Sequence, residues 1–318
     1  EQTVSFYRNT DPSGKQRFFN DLCKGPHVAS TKELGAFKLL SIAGAYWRGS
    51  EANPMLQRIY GAAFPTQEEL ETHLERLRQA ELRDHRKLGR ELELFVFSDL
   101  VGPGLPLYTP RGALVRRLMT EYTDELQRGI GYATVHTPNL NKAELFKVSG
   151  HYDKFKDSMF RVVSKYTEEE YFLKPMNCPQ HAQLYAAKLR SYKDLPIRYA
   201  DFANLYRDEK PGELSGLTRL RAFSQDDAHC FCRADQIEAE LVAVLGIIRQ
   251  ALGTYGLEYS VRLSLRDAAH PEQYIGTDET WRTSQVILED ILKRQDVAYT
   301  RVEGEAAFYG PKMDILAR

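Results

Sequence analysis

The chain has 318 residues, 42% hydrophobic and 27% charged, with a formal net charge of -1. That is ordinary globular composition, enough for one large or two modest domains, and no run approaches the roughly 18 apolar residues of a membrane span, which excludes a transmembrane reading. The near-zero charge neither favours nor excludes a nucleic-acid partner, because a local basic face can hide in a balanced total.

The opening Glu1-Gln2-Thr3-Val4 has neither a basic start nor an apolar core, so no signal peptide is visible, and with no initiating Met the natural chain is expected to begin further upstream. Residues 1–62 mix Gly, Pro and aromatics with short apolar runs such as Phe37-Lys38-Leu39-Leu40, which predicts a compact α+β piece. From 63 to 97 the composition turns strongly charged, with Leu70, Leu74 and Leu77 at helical spacing, as in a helical connector. Val101 to Gly112 is a turn-rich loop, followed by a helix from about Ala113 to Arg128 that Gly129 and Gly131 stop.

Strand-like segments follow at 131–135, 158–163, 170–174, 197–204 and 259–265. Between 158 and 231 they lack long helical crossovers, which predicts antiparallel pairing. A further helix is expected from Asp235 to Leu252, capped by Asp235 and Glu238, with Ile237, Leu241, Leu245, Ile248 and Leu252 as its apolar stripe. The four cysteines are too sparse for a disulfide scaffold and predict a reducing compartment.

The chemistry concentrates in Tyr206-Arg207-Asp208-Glu209, a Gly/Pro-bearing turn, and Arg219-Leu220-Arg221-Ala222-Phe223. Two strands joined by a loop would bring Arg207, Glu209 and Arg219 together, since i and i+2 share a strand face. Paired guanidinium forks suit phosphate oxygens, Glu209 can accept from an exocyclic amine, and Phe223 can stack on a flat ring. These residues describe a nucleotide triphosphate site, or alternatively a charged hairpin in solvent. No Gly-x-x-x-x-Gly-Lys-Ser/Thr occurs, which disfavours a P-loop enzyme. Cys178 and His229 suit zinc by donor type, although on spacing alone such a pair is more often a core thiol and a satisfied histidine. Cys230 and Cys232 would share the strand face opposite His229 and read as packing thiols.

The Y-R-x-E, loop, R-x-x-x-F arrangement resembles motif 2 of the class II aminoacyl-tRNA synthetases. Lys174-Pro-Met-Asn-Cys-Pro179 with His181, Ser224-Gln-Asp-Asp-Ala-His229, Gly150-His-Tyr152 and Phe308-Tyr-Gly-Pro-Lys312 resemble the threonyl-tRNA synthetases in particular, in the family's order from about Asp21 to Lys312. The resemblance implies an α+β fold: a class II core at 98–318, mainly an antiparallel sheet flanked by helices, after the connector and a C-terminal remnant of an editing domain at 1–62.

It also implies ATP-dependent activation of threonine to threonyl-adenylate and transfer to tRNA(Thr), in a cytoplasmic enzyme that needs Zn²⁺ and Mg²⁺. Arg207 would be the catalytic cation on the α-phosphate, with Glu209, Arg219 and Phe223 also holding ATP. Met176, Gln225, Asp227, Tyr309 and Lys312 would line the threonine pocket, and Cys178 and His229 would bind zinc. Pro138 would mark motif 1 and a homodimer interface. Cys23 and His27 match half of the editing site.

The sequence departs from the family at Gln180, where Gly is usual. The third zinc ligand, motif 3 and the other half of the editing site are not in these residues, so the segment alone is expected to be inactive. Two rival readings are another class II synthetase of seryl or prolyl type, and a non-catalytic tRNA-binding paralogue.

Overall fold

The computed structural model describes residues 5–317 except 12, 15 and 16, and of 17–19 only the backbone. The outer ends of the first and last predicted segments, residues 1–4 and 318, lie outside the described residues. The chain divides into two compact units, 1–87 and 88–318.

In the first unit β1 (Phe6–Thr10) pairs antiparallel with β2 (Arg17–Leu22), and β3 (Ala36–Tyr46) with β4 (Met55–Phe64). Helix α1 (Gln67–Leu82) starts at a capping box, in which the Thr66 hydroxyl accepts from Glu69 N and the Glu69 carboxylate accepts from Thr66 N. It packs on the β3–β4 hairpin with Leu70 buried, and His73 lies 4.9 Å from the Phe64 ring. Residues 5–62, expected to be a compact α+β piece, hold two strand pairs and two short 3-10 turns among the described residues, with the α-helix coming only at Gln67, and Phe37, Leu39, Ile42, Met55 and Ile59 stay exposed along the strands. The charged stretch expected to be a helical connector holds two helices: Arg83 caps α1, and α2 (His85–Glu91) begins beyond it.

The second unit opens with the short pair β5 (Phe95–Val96) and β6 (Leu107–Tyr108), then α3 (Pro110–Gly129). Helix α3 begins three residues before the sequence expectation. The Thr109 hydroxyl accepts from Gly112 N, and Pro110 holds the first helical position, where its missing N–H costs nothing. Gly112 lets the helix approach the chain closely: a Cβ there would sit 1.9 Å from Leu94 O. Gly112→Ala is expected to lower the stability of this unit by about 1–3 kcal/mol through that backbone clash. A urea midpoint equal to the parent's would show that the contact relaxes freely.

After β7 (Ala133–Thr134) come β8 (Leu140–Lys142), α4 (Ala143–Val148), α5 (His151–Phe155), β9 (Arg161–Val163) and β10 (Glu170–Leu173). Strand β10 runs antiparallel between β8 and β9, and Phe172 joins Ala143, Phe146 and Met159 in a buried cluster. Helix α6 (Cys178–Ala186) leads to β11 (Ile197–Tyr206), which pairs antiparallel with β12 (Ala222–Phe231) over its whole length and parallel with β7.

Helix α7 (Ile237–Tyr255) starts two residues later than predicted. The Asp235–Glu238 cap does not form; Asp235 pairs with Arg233 at 2.9 Å, and Arg233 N donates to Gln236 Oε1 instead. A short-range ion pair therefore takes the carboxylate that the capping pattern had assigned to the helix.

Strand β13 (Tyr259–Leu265), α8 (Asp278–Arg294) and β14 (Tyr299–Glu303) form a parallel crossover unit, and β15 (Lys312–Ala317) closes β13 antiparallel. Val261, Leu263 and Leu265 alternate along β13 and bury against Leu292 of α8. Antiparallel pairing thus dominates from 140 to 231, as expected, while β7–β11 and β13–β14 add parallel contacts. Among the described residues no helix is long and apolar enough to cross a membrane.

Candidate active site

Strand parity builds the site. The β11–β12 register pairs Leu205 with Phe223, Ala203 with Gln225, Asp201 with Asp227 and Tyr199 with His229, so these eight residues share one face. The other face carries Ser224, Ala228 and Cys230. Cys230 and Cys232 line a cavity of about 710 Å³ with Leu126 and Tyr132 on one side and Leu241 and Ile248 of α7 on the other. Burial, together with the nearby Glu240 carboxylate, pushes the Cys230 thiol up to about 12.

At the loop joining β11 to β12 the arrangement differs from the expected strand pair. Arg207, Glu209 and Arg219 do come together, with Arg219 Nε 3.9 Å from Glu209 Oε2, but they lie on the loop beyond the strands. The ladder continues only to Arg207 N→Arg221 O at 2.9 Å. Asp208 N then turns away to Ser158 O, ending the strand geometry. Arg221 grips Glu209 O with Nε and Nη2, at 3.1 and 3.0 Å, and so holds the turn.

The Arg207 guanidinium sits 5.0 Å over the Phe223 ring and donates at 3.5 Å to Pro175 O. Burial lowers its pKa, a sign of a cation short of water, and Glu209 partly restores it. Arg219 is also paired with Glu213 at 3.3 Å.

At the other end Cys178 is the first residue of α6, with Pro179 in the first turn. Burial, then the Asp227 carboxylate, pushes its thiol up to about 11. Burial likewise raises Asp227 and lowers His229, and the two lie 4.0 Å apart. Tyr309 is raised by burial and then by Cys178 and Asp227, which places all four in one electrostatic neighbourhood. Met176 is half-buried just before α6, and Gln225 is exposed on β12. Lys312 is drawn to Asp314 at 3.0 Å, a carboxylate that also accepts from Ser264 and Arg262.

Gln180 does not disturb α6. Its amide, turned to satisfy both ends, donates to Met176 O and Asn177 O and accepts from Asn141 Nδ2 at 2.8 Å. Cys178 and His229 are, by donor type, a fit for a soft divalent cation. Among the described residues no group of three His, Cys, Asp or Glu is arranged to hold a metal ion.

In the first unit His27 Nε2 lies 3.0 Å from Cys23 Sγ, and the Tyr7 ring is 4.0 Å from the His27 ring. Pro138 is exposed in the extended link between β7 and β8.

Three residues at the site had no role assigned from sequence. His151 is buried on α5, with its ring 5.5 Å from Phe308 and 6.4 Å from Tyr309. His181 is wholly buried, and its Nδ1 lies 2.8 Å from His229 Nδ1. Asp201 is buried behind it and accepts from Thr137 N and Oγ1, at 3.1 and 2.7 Å. Only the Cys-Pro-x-His spacing pointed to His181, and nothing local pointed to Asp201.

A model of the class II tRNA synthetase core domain of the G, H, P, S and T enzymes matches residues 160–317. The second additional domain of threonyl and alanyl tRNA synthetases matches 4–60. A threonine–tRNA ligase of Rubrobacter xylanophilus is 51% identical over all of this chain and 49% of its own length, and one of Thermus thermophilus is 46% identical over all of this chain and 48% of its own. The chain thus spans about half the length of the curated relatives it matches.

A crystal structure titled as the RNA binding domain of threonyl-tRNA synthetase from Cryptosporidium parvum superposes with a TM-score of 0.70 at 38% identity, covering 74% of this chain and 57% of that one. A putative threonyl-tRNA synthetase from Aeropyrum pernix gives 0.67 at 30%, covering 72% and 54%. Sequence match over the whole chain, two domain models in order and a shared fold agree: the chain belongs to the threonyl-tRNA synthetase family of class II aminoacyl-tRNA synthetases.

Proposed function

We propose that this chain supplies the amino-acid activation site of a threonine–tRNA ligase, joining threonine to ATP as threonyl-adenylate and passing it to tRNA(Thr). One observation carries the reading: Phe223, Gln225, Asp227 and His229 share a face of β12, between the Arg207–Glu209–Arg219 loop and Cys178. That face runs from the two arginines to the Asp227–His229 pair, as a carboxylate attacking an α-phosphorus requires.

Arg207 spreads charge over the α-phosphate as the attack proceeds in line, and Arg219 holds the distal phosphates. Glu209 accepts from the adenine amine, and the Phe223 ring packs on the base. Asp227, Gln225, Met176, Tyr309 and Lys312 surround threonine. Mg²⁺ accompanies the ATP. Cys178 and His229 would hold zinc, which supplies Lewis-acid positions for the amine and hydroxyl of threonine. A site that needs the hydroxyl rejects valine far better than an apolar pocket, which is limited to about 10²-fold.

The same reading assigns 1–62 to an editing-domain remnant, 63–97 to a connector and 98–318 to the catalytic domain, with Cys23 and His27 as part of an editing centre. It includes a cytoplasmic homodimer through motif 1. Exposed Leu114, Val115 and Leu118 on α3, together with exposed Pro138, support that interface.

The test is amino-acid-dependent ATP–pyrophosphate exchange by the protein carrying this chain. Threonine is expected to drive exchange, serine less, and valine not at all. Preference for serine or proline would move the chain to another class II specificity. Tight tRNA binding without exchange would make it a binding-only relative.

A further inference from the structure

His181 Nδ1 and His229 Nδ1 face one another at 2.8 Å. Two N–H groups cannot occupy that gap, and two bare lone pairs would repel, so the contact holds a single proton. Which ring donates it decides the state of the other nitrogen on each. If His181 donated, its Nε2 would be a bare lone pair. That atom is fully buried, has no hydrogen-bond partner among the described residues and lies 4.0 Å from Asp201 Oδ2. A lone pair beside a buried carboxylate is repulsive.

If His229 donates, His181 Nε2 carries its proton toward that same carboxylate, which is attractive. The Asp227 carboxylate lies 4.0 Å from His229 Nδ1 and favours a proton there too. Both carboxylates therefore select the same arrangement. Asp201 is held for it by Thr137 N and Oγ1, with Lys174 Nζ 4.0 Å away and His136 Nδ1 3.9 Å from its other oxygen.

We propose that Asp201 and His181 are positioning residues that lock His229 in the Nδ1–H tautomer, leaving its Nε2 as the bare nitrogen of the site. A ligating histidine is commonly fixed in this way by a hydrogen bond on its other nitrogen. The consequence for metal binding rests on the function proposed above, whereas the tautomer itself does not.

The test is long-range ¹H–¹⁵N spectroscopy of the imidazole rings in the histidine-labelled chain at pH 7.5 with chelator present, the signals assigned by His229→Gln and His181→Gln. His229 is expected with a protonated Nδ1 and bare Nε2, and His181 with a protonated Nε2. A protonated Nε2 on His229 overturns the proposal, and this parent spectrum decides the tautomer without any variant. Asp201→Asn and His181→Leu, each checked for folding by circular dichroism, are expected to return His229 to a mixed or Nε2–H state. A folded variant of either kind with the His229 spectrum unchanged removes that residue from the relay.

Zinc affinity, read by competition with a chromophoric chelator, is expected to fall roughly 10–100-fold in the same variants. If the parent binds no zinc, the metal reading of Cys178 and His229 fails while the tautomer result stands. If the parent binds zinc and His229 has a protonated Nε2 in the metal-free spectrum, the relay fails and the metal reading stands.

Discussion

Arg207→Ala is expected to reduce threonine-dependent ATP–pyrophosphate exchange in the protein carrying this chain by on the order of 10²–10³-fold, with little loss of stability. The guanidinium is half-buried, rests on the Phe223 ring and has one long bond, to Pro175 O at 3.5 Å. Among the described residues no carboxylate makes a salt bridge to it, Glu209 acts on it only through space, and burial already disfavours its charge. Such a cation gains most when an anion arrives, and most of all when charge builds on an α-phosphate. Arg207→Lys keeps the charge but loses the planar fork, so recovery should be partial. Exchange within tenfold of the parent in Arg207→Ala would remove Arg207 from the catalytic role. An equal loss of thermal stability in both variants would point to a structural role instead.

The second large effect is expected in stability. Lys174 is 1% exposed, and its ammonium donates to Thr137 O at 3.1 Å and Thr137 Oγ1 at 2.7 Å, with Asp201 4.0 Å away. Lys174→Met fills nearly the same space but leaves the Asp201 carboxylate buried without its cation. Removing one partner of a buried pair costs about 3–5 kcal/mol, far more than the pair itself contributes. Urea denaturation should show that loss, and Lys174→Met/Asp201→Asn should recover part of it. A single variant within about 1 kcal/mol of the parent would mean that water reaches the pair and screens it. Burial is what makes the ammonium costly to hold, and it lowers the Lys174 pKa against the pull of Asp201.

These two residues differ in how far they could be read from the sequence. Arg207 sits in a motif whose residues act within a short span, so its neighbourhood was legible, although its place on a loop was not. The strand was expected to carry Arg207 and Glu209, but Asp208 N is captured by Ser158 O, some 50 residues away, and the ladder ends there. The start of α3 moved for a local reason. Thr109 and Pro110 supply the cap and first turn at the end of a Gly/Pro-bearing stretch that reads as a turn-rich loop. The Asp235 cap failed because Arg233, two residues back, offered a stronger local partner.

What the sequence determined by itself is whatever repeats with a local period or lies within one motif. Alternation along β12 placed Phe223, Gln225, Asp227 and His229 on one face and Cys230 on the other, because successive strand residues point to opposite sides. The stripe on α7 and the charged helical stretch after Pro65 follow from the same kind of periodicity, and the antiparallel pairing of β11 with β12 from a connection too short for a helical crossover. The tertiary structure alone decided which buried polar groups meet. His181 meets His229 across 48 residues and Thr137 meets Asp201 across 64, with no sequence period linking either pair. Such contacts are selected by the cost of leaving buried polar groups unpaired once water is excluded. That demand arises only when β10, α6 and β11 close around the same interior.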